Sequence, residues 1–421
     1  MKNRTIITLG IAESISAIGD WITMMAIFAL LVFRGDGGVA QSSGIFLAGL
    51  LPTLPASLVS GWLCDRYDRK YLMMGSLILS GAIVSGLIFT ENLILIYALL
   101  ALQAVTVSVM TPARASILPD ILPPEELTRA NAFLQQLSSL VKIGAPILAG
   151  GILAVMNPHQ AIILDLVSFF LAAALLVRLP KLPPQSSGGM QVKSEEQPAT
   201  AKASLPLFSL LSGNTRLQLV YITGFLSILV LICFDVLSAV YFRDVLQTGE
   251  QYMGLVIGLI GVGTLIATVL LMRRKHPADP WRDVIIGIAL LGIIPLTFSL
   301  GNTISNLAVL RVVVLVACLF GGVGNGFVHV QMITLLQTLA PAGMLGRASG
   351  VYQSVMVTGQ LIGLVLTPLL VPGVLAMTSF FLVSAGCLAG VILWITVQLN
   401  RTRNAVAGLS DTPPMGEPRM G

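Results

Sequence analysis

Residues 61–70 read GWLCDRYDRK and place five charged side chains between two long apolar stretches. The stretch that leads into this segment covers residues 44–63, and the stretch that follows covers residues 71–89. A membrane-spanning helix needs about 20 mostly apolar residues. Each stretch is therefore long enough to cross a bilayer, and the pattern predicts two antiparallel spans joined by a short charged loop.

The same alternation continues along all 421 residues, of which 55% are hydrophobic and only 10% are charged. A soluble domain carries about 25% charged residues. This composition excludes a soluble enzyme, a disordered protein and a nucleic-acid binder. Because backbone groups in hydrocarbon must bond internally, the apolar runs are predicted to be helices. We expect an all-α membrane protein with twelve spans, at residues 6–33, 44–63, 71–89, 93–110, 131–156, 160–177, 217–242, 252–272, 284–300, 304–328, 348–371 and 374–399.

The basic residues test this count. When the N-terminus is assigned to the cytoplasm, 20 of the 24 Lys and Arg residues, Arg114 among them, fall in cytoplasmic segments. Only Arg34 and Arg243 fall on the other side, and Lys142 and Arg311 lie within spans. Cytoplasmic loops of membrane proteins carry such an excess of Lys and Arg. We therefore expect a multi-pass protein of the cytoplasmic (inner) membrane with both termini in the cytoplasm.

A polar segment divides the chain into two halves of six spans. Residues 180–214 are rich in Pro, Ser, Gly and charge, and we expect a flexible cytoplasmic linker there. The predicted domains are residues 1–179 and 215–400, each a six-helix bundle, followed by a disordered cytoplasmic tail at 401–421. Two similar halves related by an axis along the membrane normal are a transporter design, with the substrate site between them.

The segment 61–70 resembles the signature loop of the major facilitator superfamily, G-x-x-x-D-R-x-G-R-R, with Asp68 in place of the second Gly. Together with Gly19-Asp20 and the segment after span four, it resembles the branch of enterobactin-type siderophore exporters and macrolide efflux proteins. The resemblance implies a fold of two pseudo-symmetric six-helix bundles. It also implies a cytoplasmic latch between the halves. The latch residues would be Gly61, Asp65, Arg66, Asp68, Arg69 and Lys70.

The alternative for this loop is a plain cluster of topogenic charges. If it is a latch, the Asp65 carboxylate is expected to gain from the positive N-terminal end of span eleven. We expect Asp68 to replace Gly in a left-handed turn, because Asp tolerates that backbone conformation better than most residues.

Span five carries small residues and a proline. Gly144, Pro146, Gly150 and Gly151 resemble a degenerate form of the superfamily's antiporter motif, in which proline bends the helix. The resemblance implies a seal against leakage, whereas the alternative is ordinary small-residue packing between helices. Span eight offers a possible partner surface, with Gly254, Gly258, Gly261 and Gly263.

Ionisable residues within spans are costly, by about 2.5–3.5 kcal/mol each at a helix centre, so they are expected to face a partner or a wet cavity. Glu13 and Asp20 are two helical turns apart on one face of span one. We expect them to form a cluster with Lys142 that couples transport to protons, or else a static ion pair that ties helices together.

In the second half, Asp235 and Arg311 are expected to pair across spans seven and ten, as an outer gate, a substrate contact or a structural tie. Asp165 is expected to be a solvated acid near the end of span six. Gln103, Gln135 and Gln136 are possible substrate contacts. Span four is expected to lack the central Arg that many proton antiporters of the superfamily carry.

No catalytic residue, metal site or cofactor is predicted, because the four Cys and three His show no metal-ligand spacing. The leading hypothesis is a monomeric exporter of amphiphilic or hydrophobic small molecules, driven by proton antiport and embedded in lipid. It binds no nucleic acid and is not an enzyme. The alternatives are a lipid or lysophospholipid transporter of the same fold and a non-transporting sensor or scaffold.

Overall fold

The computed structural model describes residues 2–35, 37–122, 124–179, 215–274, 279–340, 345–371 and 373–410. Within these ranges the chain is helical, no strand occurs, and twelve helical segments are long and apolar enough to cross a membrane. The prediction of an all-α membrane protein with twelve spans is confirmed. The predicted linker at 180–214 and residues 411–421 of the predicted tail lie outside the described residues.

Three spans depart from a single uninterrupted helix. Span one ends in a π-helix, and spans two and four are each built from two helices. In chain order, the helices are Lys2–Phe28 with the π-helix Ala29–Phe33, Val39–Leu50 with Thr53–Arg66, Arg69–Ile88, Leu93–Val107 with Met110–Ile121, Pro124–Val155, Pro158–Leu176, Thr215–Asp244, Glu250–Met272, Pro280–Ser299, Leu307–Leu339, Leu345–Leu370 and Met377–Ser410.

Several helix boundaries differ from the predicted spans, and two of them change the predicted setting of particular residues. Span four continues as Met110–Ile121, which places Arg114 in a helix rather than in a loop. The prediction missed this extension because Pro112, Arg114 and Pro119 interrupt the apolar run. At the other end of the chain, the helix of span twelve reaches Ser410, so residues 401–410 are helical rather than part of a disordered tail.

The packing follows the two halves of the chain. Span one packs against spans five and six, and span three packs against spans four and six. In the second half, span ten packs against spans eight and nine, and span seven packs against span eleven. Between the halves, span five contacts span eight, and Val39–Leu50 of span two contacts spans seven and eleven.

Polar contacts join the halves at one end of the molecule. We call the side with the start of span one, the end of span twelve and the loop at residues 61–70 the basic face, and the other side the opposite face. At the opposite face, Arg34 after span one forms an ion pair with Glu250 of span eight, with Nη2 and Oε1 2.6 Å apart.

A second cation reinforces this contact. Arg243, at the end of span seven, donates from Nη1 to the carbonyl oxygens of Val32, Gly37 and Gly35 at 2.6, 2.7 and 3.2 Å. The Ser42 hydroxyl also donates to the Val236 carbonyl oxygen at 2.6 Å. These bonds, with the ion pair, close the two halves on each other at the opposite face.

Candidate functional site

Asp20 lies between two cavities. The central cavity has a volume of about 410 Å³, and the basic-side cavity, which extends toward the basic face, has a volume of about 230 Å³. Asp20 and Val107 line both. The central cavity is otherwise mostly apolar, and its further lining residues are Thr23, Met24, Ile45, Phe46, Gly49, Leu50, Leu100, Gln103, Ala104, Ile232, Gln360 and Leu364. Among the described residues that line the central cavity, Asp20 is thus the only ionisable one.

The side chain of Asp20 is held by span four. Gln103 Nε2 donates to Asp20 Oδ1 at 2.9 Å, and Gln103 is buried. Asp20 therefore lies at the contact between spans one and four, where it faces both cavities. Of the three predicted substrate contacts, Gln103 is placed in this way. Gln136 is exposed, and the side chain of Gln135 lies outside the described residues.

Asp165 contradicts the expectation of a solvated acid at the end of span six, because it is 0% exposed. Its Oδ2 accepts from Thr23 Oγ1 at 2.5 Å, and its Oδ1 accepts from Ser168 Oγ at 3.2 Å. Span six begins at Pro158, so Asp165 lies two turns inside the helix. The predicted start of span six at residue 160 already places Asp165 more than one turn inside the helix. The sequence does not show which face of span one packs against it.

The expected cluster of Glu13, Asp20 and Lys142 is only partly correct. All three line the basic-side cavity. However, Glu13 forms its ion pair with Arg114 of span four, with Oε2 and Nη1 3.0 Å apart, whereas Lys142 is exposed. Arg114 lies in the second helix of span four, at the basic-face end and not at the centre of the span, so it does not contradict the expectation that a central Arg is absent.

The predicted pair of Asp235 and Arg311 does not form an ion pair in the described part of the chain. Arg311 instead donates from Nε and Nη2 to the Leu246 carbonyl oxygen, at 3.0 and 2.8 Å, and from Nη2 to the Gln247 carbonyl oxygen at 2.9 Å. These carbonyl groups follow span seven, and a cation near a helix C-terminus is electrostatically favourable. Arg311 thus stabilises the end of span seven.

The loop at residues 61–70 is built differently from the predicted left-handed turn. Asp68 has φ −60° and ψ 119°, which is not a left-handed conformation, and its Oδ1 accepts from the Lys70 backbone N–H at 2.9 Å. Asp68 is therefore the N-cap of span three. The buried Lys70 donates from Nζ to the carbonyl oxygens of Val177 and Leu179 at 2.8 and 2.6 Å. Lys70 thus ties span three to the end of span six.

The rest of the predicted latch stays a prediction. Arg66 is exposed and stacks over the Trp62 ring, with its guanidinium carbon 5.3 Å from the ring centroid, and Arg69 is buried. The surroundings of Gly61 and the side chain of Asp65 lie outside the described residues.

Spans five and eight meet through glycine. A Cβ atom at Gly254 would lie 2.4 Å from the Pro146 carbonyl oxygen and 3.1 Å from the Gly150 Cα. The span five helix runs unbroken through Pro146, and added Cβ atoms at Gly144 and Gly151 would meet nothing within 4 Å. Only Gly150 of the three span five glycines therefore faces span eight.

The span eight glycines divide between two neighbours. A Cβ atom at Gly258 would lie 2.2 Å from Ile147 Cγ1, and one at Gly261 would lie 2.8 Å from Ile143 Cγ1, both in span five. By contrast, a Cβ atom at Gly263 would lie 2.2 Å from the Leu319 carbonyl oxygen in span ten. Gly263 thus permits close packing within the second half, not between the halves.

Comparisons with known proteins agree with this architecture. The family model described as Major Facilitator Superfamily matches residues 9–364. The chain is 25% identical to the uncharacterized MFS-type transporter YfiS of Bacillus subtilis, over 86% of each protein. It is 26% identical to macrolide efflux protein A of Streptococcus pyogenes, over 51% of this chain and 55% of that protein. It is 25% identical to the multidrug efflux pump Tap of Mycobacterium bovis, over 84% of each protein.

A solved structure has the same fold. The crystal structure of a bacterial homologue of iron transporter ferroportin in inward-facing state superposes with a TM-score of 0.69 at 22% sequence identity. The match covers 93% of this chain and 98% of that chain. At this level of identity the likeness establishes the fold alone.

Proposed function

Because the chain belongs to the Major Facilitator Superfamily, we propose that it is a secondary active exporter. It moves amphiphilic or hydrophobic small molecules out of the cytoplasm by alternating access, and proton antiport drives the movement. The observation that carries this proposal is the position of Asp20, between a mostly apolar cavity and a cavity that extends toward the basic face.

The lining of the central cavity supports an amphiphilic substrate. Apolar side chains such as Phe46, Leu100 and Leu364 offer non-directional contacts to a hydrophobic body. Gln103 and Gln360 supply hydrogen-bonding groups, and Asp20 supplies one ionisable group. Pockets of this kind hold a ligand mainly through apolar surface and orient it by a few polar groups.

Asp20 supports proton coupling for an electrostatic reason. An ionised carboxylate is expensive in a site that has lost its water, so closing the cavity favours a protonated Asp20. When the site opens to water on the other side, the carboxylate is solvated again and releases its proton. A substrate with a cationic group can then take the place of the proton, which makes the two compete for one site.

The contact between the halves supports the alternating movement. The Arg34–Glu250 ion pair and the bonds of Arg243 join the halves at the opposite face. In the other state of the cycle these bonds break and the halves close at the basic face. We place the basic face in the cytoplasm because Lys and Arg are in excess there. The protein then acts as a monomer in the inner membrane.

The printed names of the relatives favour export. Macrolide efflux protein A and the multidrug efflux pump Tap are both named for efflux. Glu13, paired with Arg114, lines the cavity on the basic face and belongs to the same proposed proton pathway.

Inside-out membrane vesicles test the proposal with erythromycin and ethidium as probes. We expect an acidic vesicle interior to drive accumulation of at least one probe, and nigericin, which collapses the pH gradient, to abolish it. Accumulation that persists without the gradient would contradict proton antiport. Movement of a lysophospholipid without either probe would favour the lipid transporter instead.

A further inference from the structure

The buried carboxyl group of Asp165 has no part in the mechanism above. It reaches from span six to the face of span one that carries Asp20. Thr23 lies three residues after Asp20 and so shares that face, and its hydroxyl donates to Asp165 Oδ2 at 2.5 Å. The Asp165 carboxyl group thus lies against the turn of span one that carries Asp20, where the charge of one acid can affect the protonation of the other.

The backbone of span one leaves room for this carboxyl group. A Cβ atom at Gly19 would lie 2.1 Å from both Asp165 Oδ1 and Ser168 Oγ. Contacts below 3.0 Å essentially never occur for real Cβ atoms. Any other residue at position 19 would therefore push Asp165 and Ser168 away. The glycine is an observation independent of the hydrogen bonds, and it places the Asp165 carboxyl group directly against the residue before Asp20.

The surroundings supply no direct counter-charge. Among the described residues, no cation lies within ion-pair distance of Asp20 or Asp165. In the part of the chain that the structure describes, the charged groups that line the basic-side cavity are the Glu13–Arg114 pair and Lys142, and the central cavity adds the neutral Gln103 and Gln360. The spans around them also carry Asp235, Lys70 and the Arg34–Glu250 pair.

We propose that Asp165 is a positioning residue for Asp20, and that the two buried carboxyl groups titrate as a coupled pair across the contact of spans one and six. The proposal rests on the proposed function only in that it takes Asp20 as the group that exchanges protons with the cavities. Two neighbouring carboxylates repel each other, so the pair loses its two protons in separate steps. The neutral hydroxyl groups of Thr23 and Ser168 hold the Asp165 carboxyl group in place beside span one.

Infrared difference spectroscopy of the purified protein in lipid nanodiscs, titrated over pH, tests the pair. The carbonyl bands of the two protonated acids are assigned by their loss in Asp20→Asn and Asp165→Asn. We expect two steps in the unchanged protein. In Asp165→Asn and in Asp20→Asn alike, the one remaining step is expected at least about one pH unit below the later step of the unchanged protein, because the repulsion is gone.

A second variant moves the later step the other way. Thr23→Val removes the hydroxyl that stabilises a charged Asp165, so the pair is expected to keep its last proton to higher pH. Glu91→Gln, which changes an exposed acid at the opposite face, is the matched control and is expected to leave both steps in place.

The outcomes separate this proposal from the proposed function. If the remaining step in either variant coincides with the later step of the unchanged protein, the coupling is refuted. If Asp165→Asn does not fold, an unshifted later step in Thr23→Val refutes it. The spectra require no transport. Two steps in a protein that moves neither erythromycin nor ethidium would therefore support the pair and contradict the proposed function.

Discussion

Gly254 offers the sharpest test of how the halves close at the opposite face. Its Cβ position would lie 2.4 Å from a backbone carbonyl oxygen of Pro146 and 3.1 Å from the Gly150 Cα. Backbone atoms cannot rotate away as side chains do, so Gly254→Ala must push span eight from span five. We expect the variant to disfavour the state in which the opposite face is closed.

The size of the effect follows from the packing. Overpacking a well-packed contact costs about 1–3 kcal/mol. The strain is relieved when spans five and eight separate at the opposite face. The ratio of open to closed molecules at that face should therefore rise about 5- to 150-fold.

Double electron–electron resonance measures the distribution of distances between two spin labels, and the populations of that distribution give this ratio. Labels at Glu91→Cys and Ser305→Cys, both exposed in loops at the opposite face, report the distance between the halves. The native Cys387 is exposed and must be replaced, whereas Cys64, Cys233 and Cys318 are buried. We expect a larger long-distance population in Gly254→Ala.

Gly151→Ala is the matched control, because a Cβ atom at Gly151 would meet nothing within 4 Å. The same chemical change on span five should then leave the distance distribution unchanged. Equal distributions in Gly254→Ala and Gly151→Ala would refute the argument that close glycine packing holds the opposite face shut.

Three further predictions concern the basic face. Lys70→Met leaves two carbonyl groups at the end of span six without their donor, so we expect the free energy of unfolding, measured by thermal denaturation, to fall by about 1–3 kcal/mol. An unchanged melting temperature would contradict the role of Lys70. Asp68→Ala removes the N-cap of span three and should lower the free energy of unfolding by about 1 kcal/mol, whereas Asp68→Gly should lower it by only a few tenths of a kcal/mol. Equal melting temperatures for the two variants would argue against capping. Arg114→Gln leaves Glu13 without its cation in the basic-side cavity, so erythromycin accumulation in inside-out vesicles should fall. Arg178→Gln changes an exposed side chain and should have no such effect. An equal fall in both variants would contradict a role for the Glu13–Arg114 pair.

The twelve spans could be predicted because the apolar runs and the internal bonding of backbone in hydrocarbon allow few alternatives. The location of Asp20 within span one could be predicted for the same reason. Its partners could not, since contacts between helices depend on how the helices rotate and cross. The prolines on either side of Arg114 indicate a loop, and the short distance of Asp165 from the predicted helix start suggests solvent, so neither side chain could be placed from the sequence.

Asp68 illustrates a different limit. The comparison with a glycine-containing loop predicted a left-handed turn, but an acid after Tyr67 can also cap the next helix, and that is what it does. Both are local explanations of one residue in one loop. Only the backbone angles, with φ at −60°, distinguish them.

Proton movement through Asp20 is the central claim, and proteoliposomes test it most directly. Purified protein is reconstituted with a pH-sensitive dye inside, and erythromycin or ethidium is added outside. We expect probe-dependent proton movement in the unchanged protein. In Asp20→Asn we expect exchange of labelled probe across the membrane without proton movement and without uphill accumulation. Probe-dependent proton movement that persists in Asp20→Asn would contradict the role of Asp20.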